Sequence, residues 1–221
     1  MTMGRMKYTE EERNQIMIAF IRAAKEILGE EGIEHVSIRK VANLTGLNSA
    51  TMYLYFANSD VLITMASMGY LERYCRTLAA DMPKMQSSEQ IFMHTWDVFS
   101  RYAFENPEIF YHIFYTEHAS PLTEIVDEYY RLFPEQVQNV SGTVKEMLHE
   151  GPIQERSWKV FQPLAEERGM KESDARILNE MIVSYFRTLL EERRKSGGGL
   201  LESERLTERL KTALEIILHR L

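Results

Sequence analysis

The residues best suited to chemistry lie between positions 37 and 56, in the stretch SIRKVANLTGLNSATMYLYF. Ala42 is small enough for two helices to cross closely, and Gly46, four residues later, supplies the positive φ of a tight turn. Asn48 is a good N-cap for a second helix. Apolar residues that can bury the inner angle between the helices are Val41, Leu47 and Met52. This spacing predicts a helix-turn-helix, in which the second helix enters the major groove of DNA and the first crosses the backbone.

Twelve aromatic residues lie between Gln90 and Phe133 and form a second candidate site. They recur at three- and four-residue steps, so they form stripes along helices. Together with Met93 and Met147 they favour an adaptable apolar cavity between helices. Core packing is the simpler interpretation for any single residue. The residues that we expect to line the cavity are Trp96, Phe99, Tyr102, Phe110, Phe114, Tyr115, Tyr129 and Trp158.

Acidic residues are interspersed with these rings. One of them inside the cavity would favour a cationic ligand, through its charge and through cation–π attraction. Most of the six are expected to face solvent. They are Asp97, Glu105, Glu108, Glu117, Asp127 and Glu128.

Catalytic signatures are missing from the sequence. It contains no G-x-x-x-x-G-K-[ST] loop, G-x-S-x-G elbow or H-E-x-x-H motif. The six histidines never pair at ligand spacing on one helical turn, and a single cysteine excludes a Cys-cluster zinc site. We therefore predict that the protein is not an enzyme and has neither a cofactor nor a metal site. Cys75 has Arg73 and Arg76 nearby, but a buried packing role is favoured over a redox sensor.

Composition describes an ordinary globular chain. Its 221 residues allow one large domain or two modest ones. The net charge is −7, and the apolar content of 44% excludes bulk disorder. No apolar run approaches the roughly 18 residues that would span a bilayer. No hydrophobic stretch precedes the acidic run at 10–12, so we expect no secretory signal and a cytoplasmic protein.

Glycine, proline and capping residues predict an all-α fold. Thr9 and Glu12 form a capping box for a first helix that ends near Gly32. Further helices are expected over about 37–44, 48–56 and 59–82, with a loop over 81–88 before a helix capped by Ser87. Five prolines fit helix starts or breaks: Pro107, Pro121, Pro134, Pro152 and Pro163. We predict two domains, residues 1–60 and 61–221.

Two C-terminal segments have apolar faces wider than packing on one core requires. The first carries two neighbouring rows at four-residue steps: Ile177, Met181, Tyr185 and Leu189, and Leu178, Ile182, Phe186 and Leu190. The second carries Leu206, Leu210, Leu214 and Leu218, beside Ala213, Ile217 and Leu221. The glycine-rich link at 196–199 would let them lie antiparallel. We predict that this pair forms a homodimer interface; the alternative is that both helices pack inside a monomer.

The N-terminal part resembles the TetR family of transcriptional regulators. The resemblance is strong over about Thr9–Leu62 and elsewhere extends only to helix number and order. It rests on the capped first helix, on the segment 32–38 (GIEHVSI) that leads into the motif, and on residues 51–56 (TMYLYF), which are similar to the family's T-L-Y-x-Y/H-F. It implies a homodimer on a palindromic double-stranded DNA operator, and a small effector bound among the aromatic residues.

The resemblance also implies roles for single residues. The start of the recognition helix would be formed by Asn48, Ser49, Ala50 and Thr51. The first two would meet base edges, and the last two a thymine methyl. Phosphate contacts would come from Ser37, Arg39, Lys40, Tyr53 and Tyr55, with Arg5 and Lys7 as a basic arm. Phe56 is expected in the core. For Tyr55, core packing is an equal alternative.

The chain departs from the family pattern at two positions. The family usually has a lysine at the position of Ser59, and that lysine commonly contacts a DNA phosphate. It often has a histidine at the position of Leu54. Between His35 and Asp60 the chain has only two cations and one anion, so we expect few ion pairs to DNA and a shallow salt dependence. Most of the repelling negative charge lies after residue 60.

These features predict a repressor in which effector binding tilts the helix at 59–82 and spoils the spacing of the two DNA-reading heads. Two alternatives remain open. One is an all-helical small-molecule binder or enzyme whose helix-turn-helix is purely structural. The other is an interaction protein that dimerises through its C-terminal helices and has no effector.

Overall fold

A computed structural model describes residues 8–117, 121–136 and 142–219. Within these ranges the chain forms helices and no strand, which confirms the all-α prediction. None of the helices there is both long enough and apolar enough to cross a bilayer. The α-helices are α1 (Glu10–Glu31), α2 (Ile38–Thr45), α3 (Ser49–Met52), α4 (Ser59–Asp81), α5 (Ser88–Glu105), α6 (Pro107–Tyr115), α7 (Leu122–Leu132), α8 (Gly142–His149), α9 (Ile153–Glu167), α10 (Glu172–Ser196) and α11 (Leu200–Leu218).

Side-chain caps fix where several helices begin. The capping box of α1 is present: the Glu12 amide donates to Thr9 Oγ1 at 3.2 Å, and the Thr9 amide donates to Glu12 Oε2 at 2.7 Å. The amide of Gln90 donates to Ser87 Oγ at the start of α5. Gly32 follows α1, as the sequence predicts, with φ 96° and ψ 167°, a positive φ outside the left-handed helical region.

Two predicted elements differ in the structure. The helix expected over 48–56 is only Ser49–Met52, because the amides of Leu54 and Tyr55 donate three residues back and tighten the chain into a turn. Pro163 was expected at a helix start or break but lies inside α9. It is exposed, so the hydrogen bond that proline removes is lost on the solvent side of the helix.

The helix α4 connects the N-terminal helices to the rest of the fold. It begins at Ser59, beside the predicted domain boundary, and packs on α1 as well as on α5, α6 and α7. In the larger part of the chain, α5 packs on α4, α9 and α11. A movement of α4 would therefore displace both the N-terminal helix α1 and the helices of the larger part of the chain.

A buried polar cluster, the α1–α4–α7 junction, joins three of these helices. It consists of Lys25 from α1, Glu72 from α4 and Tyr129 from α7. The Tyr129 hydroxyl donates to Glu72 Oε1, and Lys25 Nζ donates to the same hydroxyl at 2.5 Å. Lys25 Nζ also lies 5.0 Å from the ring centroid of Phe133. Burial raises the pKa of Tyr129 far above its usual value and lowers that of Lys25.

We expect Tyr129→Phe to destabilise the fold. The change removes the hydroxyl that donates to the buried Glu72 carboxylate, and a buried group that loses its partner costs about 1–3 kcal/mol. Urea unfolding measures the loss. The matched control is Tyr185→Phe, whose hydroxyl only accepts from Arg209 on an exposed face, so its loss should be much smaller. Equal losses for the two variants would contradict a special role for the junction.

Candidate DNA-binding surface and effector cavity

The helices α2 and α3 form the helix-turn-helix. Gly46 lies between them with φ 68° in the left-handed region, as its position in the motif predicts. Val41 and Met52 are completely buried between the helices. Thr45 stabilises the turn: its hydroxyl donates to the Val41 carbonyl at 3.0 Å and accepts from the Leu47 amide at 3.3 Å. The geometry that the sequence predicts for this motif is present.

Side chains at the start of α3 remain accessible. Asn48 Oδ1 accepts from the Ala50 amide at 2.9 Å, so the predicted cap forms. Asn48 and Ala50 are exposed, whereas Ser49 and Thr51 are half-buried. The ring of Tyr53, in the turn after α3, is 58% exposed. The structure thus brings these predicted DNA-binding residues together at one end of the motif.

Tyr55 and Phe56 point toward protein rather than solvent. Phe56 is buried at 2% exposure and packs edge-on against Phe20 of α1, with ring centroids 6.2 Å apart. Tyr55 is half-buried and lines a groove together with Asn14 and Arg131. The core prediction for Phe56 is confirmed, and less of Tyr55 than of Tyr53 can reach a phosphate.

The cations of α2 differ in their surroundings. Arg39 is exposed, but Lys40 Nζ lies 2.6 Å from Glu31 Oε2 of α1. The hydrogen bond from Lys40 lowers the pKa of the Glu31 carboxyl, so the ion pair is formed at neutral pH. Ser37 is exposed, and its hydroxyl caps α2 by accepting from the Lys40 amide at 3.4 Å. Lys40, expected to reach the DNA backbone, is instead engaged with an acid.

The remaining predicted DNA contacts are Ser59 and the basic arm of Arg5 and Lys7. Ser59 is the half-buried first residue of α4, next to the N-cap Asn58, whose side chain accepts from the Val61 amide at 3.0 Å. The basic arm proposed for Arg5 and Lys7 lies outside the described residues.

A small cavity of about 20 Å³ lies between α4, α5, α8 and α9. That volume has room for about one water molecule, far below the roughly 300–1,000 Å³ typical of small-molecule pockets, so a larger ligand would have to open it. The residues that line it are Tyr74, Thr95, Trp96, Phe99, Met147, Ile153, Arg156, Ser157 and Val160. Of the eight residues predicted to line a cavity, Trp96 and Phe99 line this one, and Phe114 and Tyr115 line a separate pocket of about 300 Å³ together with Val183 and Arg187.

Three of the other six predicted residues pack immediately behind this wall. Phe110 and Phe114 contact Phe99, with ring centroids 5.6 and 5.8 Å away. The Tyr102 ring packs on Tyr74, and its hydroxyl shares a hydrogen bond with Thr77 at 2.9 Å. These residues support the cavity without lining it.

The remaining three predicted residues lie elsewhere. Trp158 is buried on a different face of α9, with the Arg176 guanidinium 3.9 Å from its ring centroid. Tyr115 packs against Tyr111 near Arg187. Tyr129 belongs to the α1–α4–α7 junction. Aromatic spacing alone does not reveal which face of a helix meets the cavity.

The sequence analysis missed Arg156, which is 4% exposed and lines the cavity. Its Nε donates to the Gly151 carbonyl at 3.4 Å and its Nη2 to the Leu148 carbonyl at 3.1 Å. Within the described residues, Nη1 has no hydrogen-bond partner. A sequence signal existed: Ile153, Arg156 and Val160 share one helical face at spacings of three and four, so a charge lies in an apolar stripe.

None of the six interspersed acids lines this cavity, so the hypothesis of a cationic effector loses its basis. Three of them pair with cations instead, Asp97 with Arg101, Glu108 with Arg194 and Glu128 with Arg131, and Asp127 contacts His149. The charged side chain among the lining residues is that of Arg156, a cation.

Cys75 is buried on α4, and burial raises the pKa of its thiol to about 12. Almost no thiolate forms at neutral pH, and thiolate is the reactive species. The surroundings of Cys75 therefore suit the packing role.

The C-terminal helices leave part of their apolar faces open. They run antiparallel: Arg209 of α11 donates to the Tyr185 hydroxyl of α10 at 3.2 Å, and Arg205 contacts Glu192 at 2.7 Å. The rows that face the core are buried, but Ile177, Met181 and Ile216 are 59%, 59% and 55% exposed. The apolar surplus that the sequence predicts is therefore at the surface of this chain.

Comparison with known proteins finds a family match for one segment of the chain and a similar fold for most of it. Residues 20–64 match the family described as bacterial regulatory proteins, tetR family. The structure is similar to Thermus thermophilus FadR, a TetR family transcriptional repressor solved in complex with lauroyl-CoA. The TM-score is 0.56 and the identity 14%, over 89% of this chain and 93% of that one. It is also similar to the TetR family regulator PfmR from Thermus thermophilus, with a TM-score of 0.50 and 16% identity over 96% and 97% of the two chains. No curated protein matches the sequence.

The sequence match covers the helix-turn-helix and the start of α4, and the structural likeness extends the shared fold over the larger helical part. The segment 20–64 is therefore similar to the tetR family of bacterial regulatory proteins, and the chain as a whole shares the fold of two TetR family regulators.

Proposed function

We propose that the protein is a homodimeric transcriptional repressor that a small, largely apolar effector releases from a palindromic operator. The observation that carries the proposal is the accessible start of α3 in a helix-turn-helix whose sequence matches the family. The aromatic cavity beside α4 supplies a candidate effector site in the same chain.

The exposed end of the motif suggests how each subunit reads DNA. Asn48 and Ser49 would meet base edges, and Ala50 or Thr51 a thymine methyl. Tyr53 and Arg39 are exposed and would contact phosphates. Ser37, Tyr55 and Ser59 are weaker candidates, because Ser37 already serves as a cap and the other two are half-buried.

A dimer would place two such heads on one face of the duplex. Half-sites read by paired helix-turn-helix units lie one helical turn apart, roughly 34–36 Å. The open faces of α10 and α11 are self-complementary apolar surfaces of the kind that two-fold dimers use.

The effector would act through α4. Tyr74 of this helix lines the cavity, and Glu72, two residues earlier, belongs to the junction that holds α1. A ligand that displaces Tyr74 therefore moves a helix attached to the head. The lauroyl-CoA complex of Thermus FadR is a precedent, on this fold, for an effector with a long apolar chain.

Sequence-specific DNA binding is the first outcome to test. In a gel shift with the DNA upstream of its own gene, at two salt concentrations and with excess competitor, we expect a discrete complex. If none forms, selection from random DNA distinguishes a distant operator from a head that does not read sequence. Weak binding to all sequences would overturn the proposal and favour a ligand-binding protein with a structural helix-turn-helix.

Tyr53→Phe tests a phosphate contact in the same assay. Tyr53 is exposed, so the fold should be unaffected, while loss of a hydrogen bond of about 0.5–1.5 kcal/mol should weaken binding several-fold on every sequence. Tyr70→Phe, on α4 outside the motif, is the matched control and should bind as wild type does. An unchanged affinity for Tyr53→Phe would remove this residue from the interface.

Glu31→Gln should strengthen DNA binding, because it frees Lys40 from its carboxylate partner. One added phosphate contact steepens the plot of log K against log salt by about 0.9 per subunit. Glu34→Gln is the control: it removes an equal charge nearby but leaves the Lys40–Glu31 pair intact. If both variants change the DNA affinity and the slope of log K against log salt equally, the effect comes from net charge alone and Lys40 makes no phosphate contact.

Met181→Glu should convert the dimer to a monomer, because it places a charge in the centre of the open apolar face of α10. Sedimentation velocity at micromolar concentration measures the change. Leu201→Glu makes the same kind of substitution at the other end of the helix pair, where the side chain is 82% exposed, and should leave the dimer intact. A dimeric Met181→Glu protein would place the interface elsewhere.

A further inference from the structure

The helix-turn-helix lacks cations on the side where the chain leaves α3. After Lys40 the sequence has no lysine or arginine until Arg73, so α3, the turn that follows it and the first half of α4 carry no positive side chain. A helix in the major groove has a phosphate backbone on each side, and phosphate contacts supply much of the affinity for DNA. Arg39 of α2 can serve one backbone. The other, beside Tyr53, can meet a cation only from another element.

The N-terminal end of α1 lies next to this turn. A groove of about 460 Å³ runs between α1, the turn after α3 and α7, and Arg13 lines it together with Leu54 and Tyr55. Leu54 directly follows Tyr53 and is 60% exposed. A DNA strand carries a phosphate about every 3.4 Å of helix axis, so a strand that passes Tyr53 brings further phosphates to the residues beside it. Arg13 lies among those residues.

The charge of Arg13 is available to an external anion. Arg13 is exposed, and within the described residues its side chain makes no ion pair and no hydrogen bond, not even with Glu10 in the same groove. The other arginine of the groove is occupied: Arg131 donates to both carboxylate oxygens of Glu128 at 2.7 Å and to Asn14 Oδ1 at 2.9 Å. A free guanidinium binds a phosphate strongly, because its planar fork of donors matches two phosphate oxygens.

The part of α1 that carries Arg13 is held firmly in place. The capping box of Thr9 and Glu12 keeps the first turn helical, and the Arg13 amide donates to the Thr9 carbonyl at 3.0 Å. Met17, one turn later, is buried and lines the same groove. The family match begins only at residue 20, so this firmly mounted cation precedes the segment shared with the family.

We propose that Arg13 contacts a DNA phosphate beside Tyr53, on the side of each half-site where α3 ends. Together with Arg39 of α2 it places a cation on each side of the recognition helix. The inference rests on the proposed function and adds a residue of α1 to the DNA interface. Phosphate contacts carry no sequence information directly, so Arg13 contributes to affinity and register and leaves the choice of bases unchanged.

Arg13→Gln removes the charge and keeps a long polar side chain. The loss of a charge-assisted contact should weaken binding about tenfold, on the selected operator and on unrelated DNA alike. The plot of log K against log salt should become less steep by about 0.9 per subunit. Fluorescence anisotropy of labelled duplexes at several salt concentrations measures both effects. Arg13→Lys keeps the charge and should retain most of the slope, whereas an unchanged slope in Arg13→Gln would overturn the proposal.

Arg22→Gln is the matched control. Arg22 is exposed on the same helix, about two and a half turns further along, and therefore faces the opposite side of α1. The variant removes the same charge and should keep the slope of wild type. Equal changes in the two variants would show an effect of net charge alone and exclude the contact. Thermal melting checks for a packing role: a lower melting temperature of Arg13→Gln with an unchanged slope would also refute the proposal.

Single methylphosphonate substitutions in the operator locate the contact, because each replaces one charged phosphate with a neutral group. Neutralising the partner of Arg13 should weaken binding of wild type and have no further effect on Arg13→Gln. That phosphate should be adjacent to the one that shows the same dependence on Tyr53. If no phosphate depends on Arg13 in this way, or if the dependent phosphate lies elsewhere in the half-site, the proposed contact is wrong.

The two proposals can fail separately. If wild type binds DNA without selecting a sequence, the repressor is refuted, while a salt slope that depends on Arg13 still supports the phosphate contact. If wild type binds its operator and Arg13→Gln behaves as Arg22→Gln does, the repressor stands and the contact is refuted. A protein that binds no DNA refutes both.

Discussion

The hydrogen bond from Tyr129 to the buried Glu72 carboxylate, with Lys25 donating to the same hydroxyl, joins α7 to α4 and α1, beside the apolar core that α1 and α4 share. The three residues belong to α7, α4 and α1, so a single polar group fixes the relative position of three helices. A buried carboxylate tolerates few arrangements, because each one must supply it with a donor. The junction therefore resists displacement of α4 relative to α1 and α7.

In the proposed switch, the position of this junction on α4 would connect the small cavity to the DNA-binding surface. Glu72 and Tyr74 are separated by one residue, and neither can shift far without the other because the helix between them is rigid. The head follows α4 through α1, since Met65 and other buried residues of α4 share one core with the buried face of α1. The path from cavity to head thus consists of one helix and one hydrogen-bonded cluster, and longer chains of coupled side chains are unnecessary.

The parts of the fold that could be predicted from the sequence are those with local causes. The capping box of Thr9 and Glu12, the turn at Gly46 and the cap at Asn48 each act within four residues, and each is present. What could not be predicted involves partners far apart in the chain. Lys25 and Tyr129 are 104 residues apart, and no periodicity connects them. The same limit explains why the aromatic residues marked α5 and α9, two of the helices around the cavity, but neither α4 and α8 nor the faces that line it.

Two selective sites of modest occupancy can together supply the free energy that the proposed switch requires. Moving a two-state equilibrium from 1:99 to 99:1 requires about 5.5 kcal/mol of differential binding. A ligand at a hundred times its dissociation constant, binding one state only, supplies about 2.7 kcal/mol. Two subunits together therefore just reach the requirement, and one site at the same ligand concentration does not. In the proposed dimer, the apolar faces of α10 and α11 would thus matter for release as well as for spacing the heads, because two sites double the free energy that a ligand can apply to one operator complex.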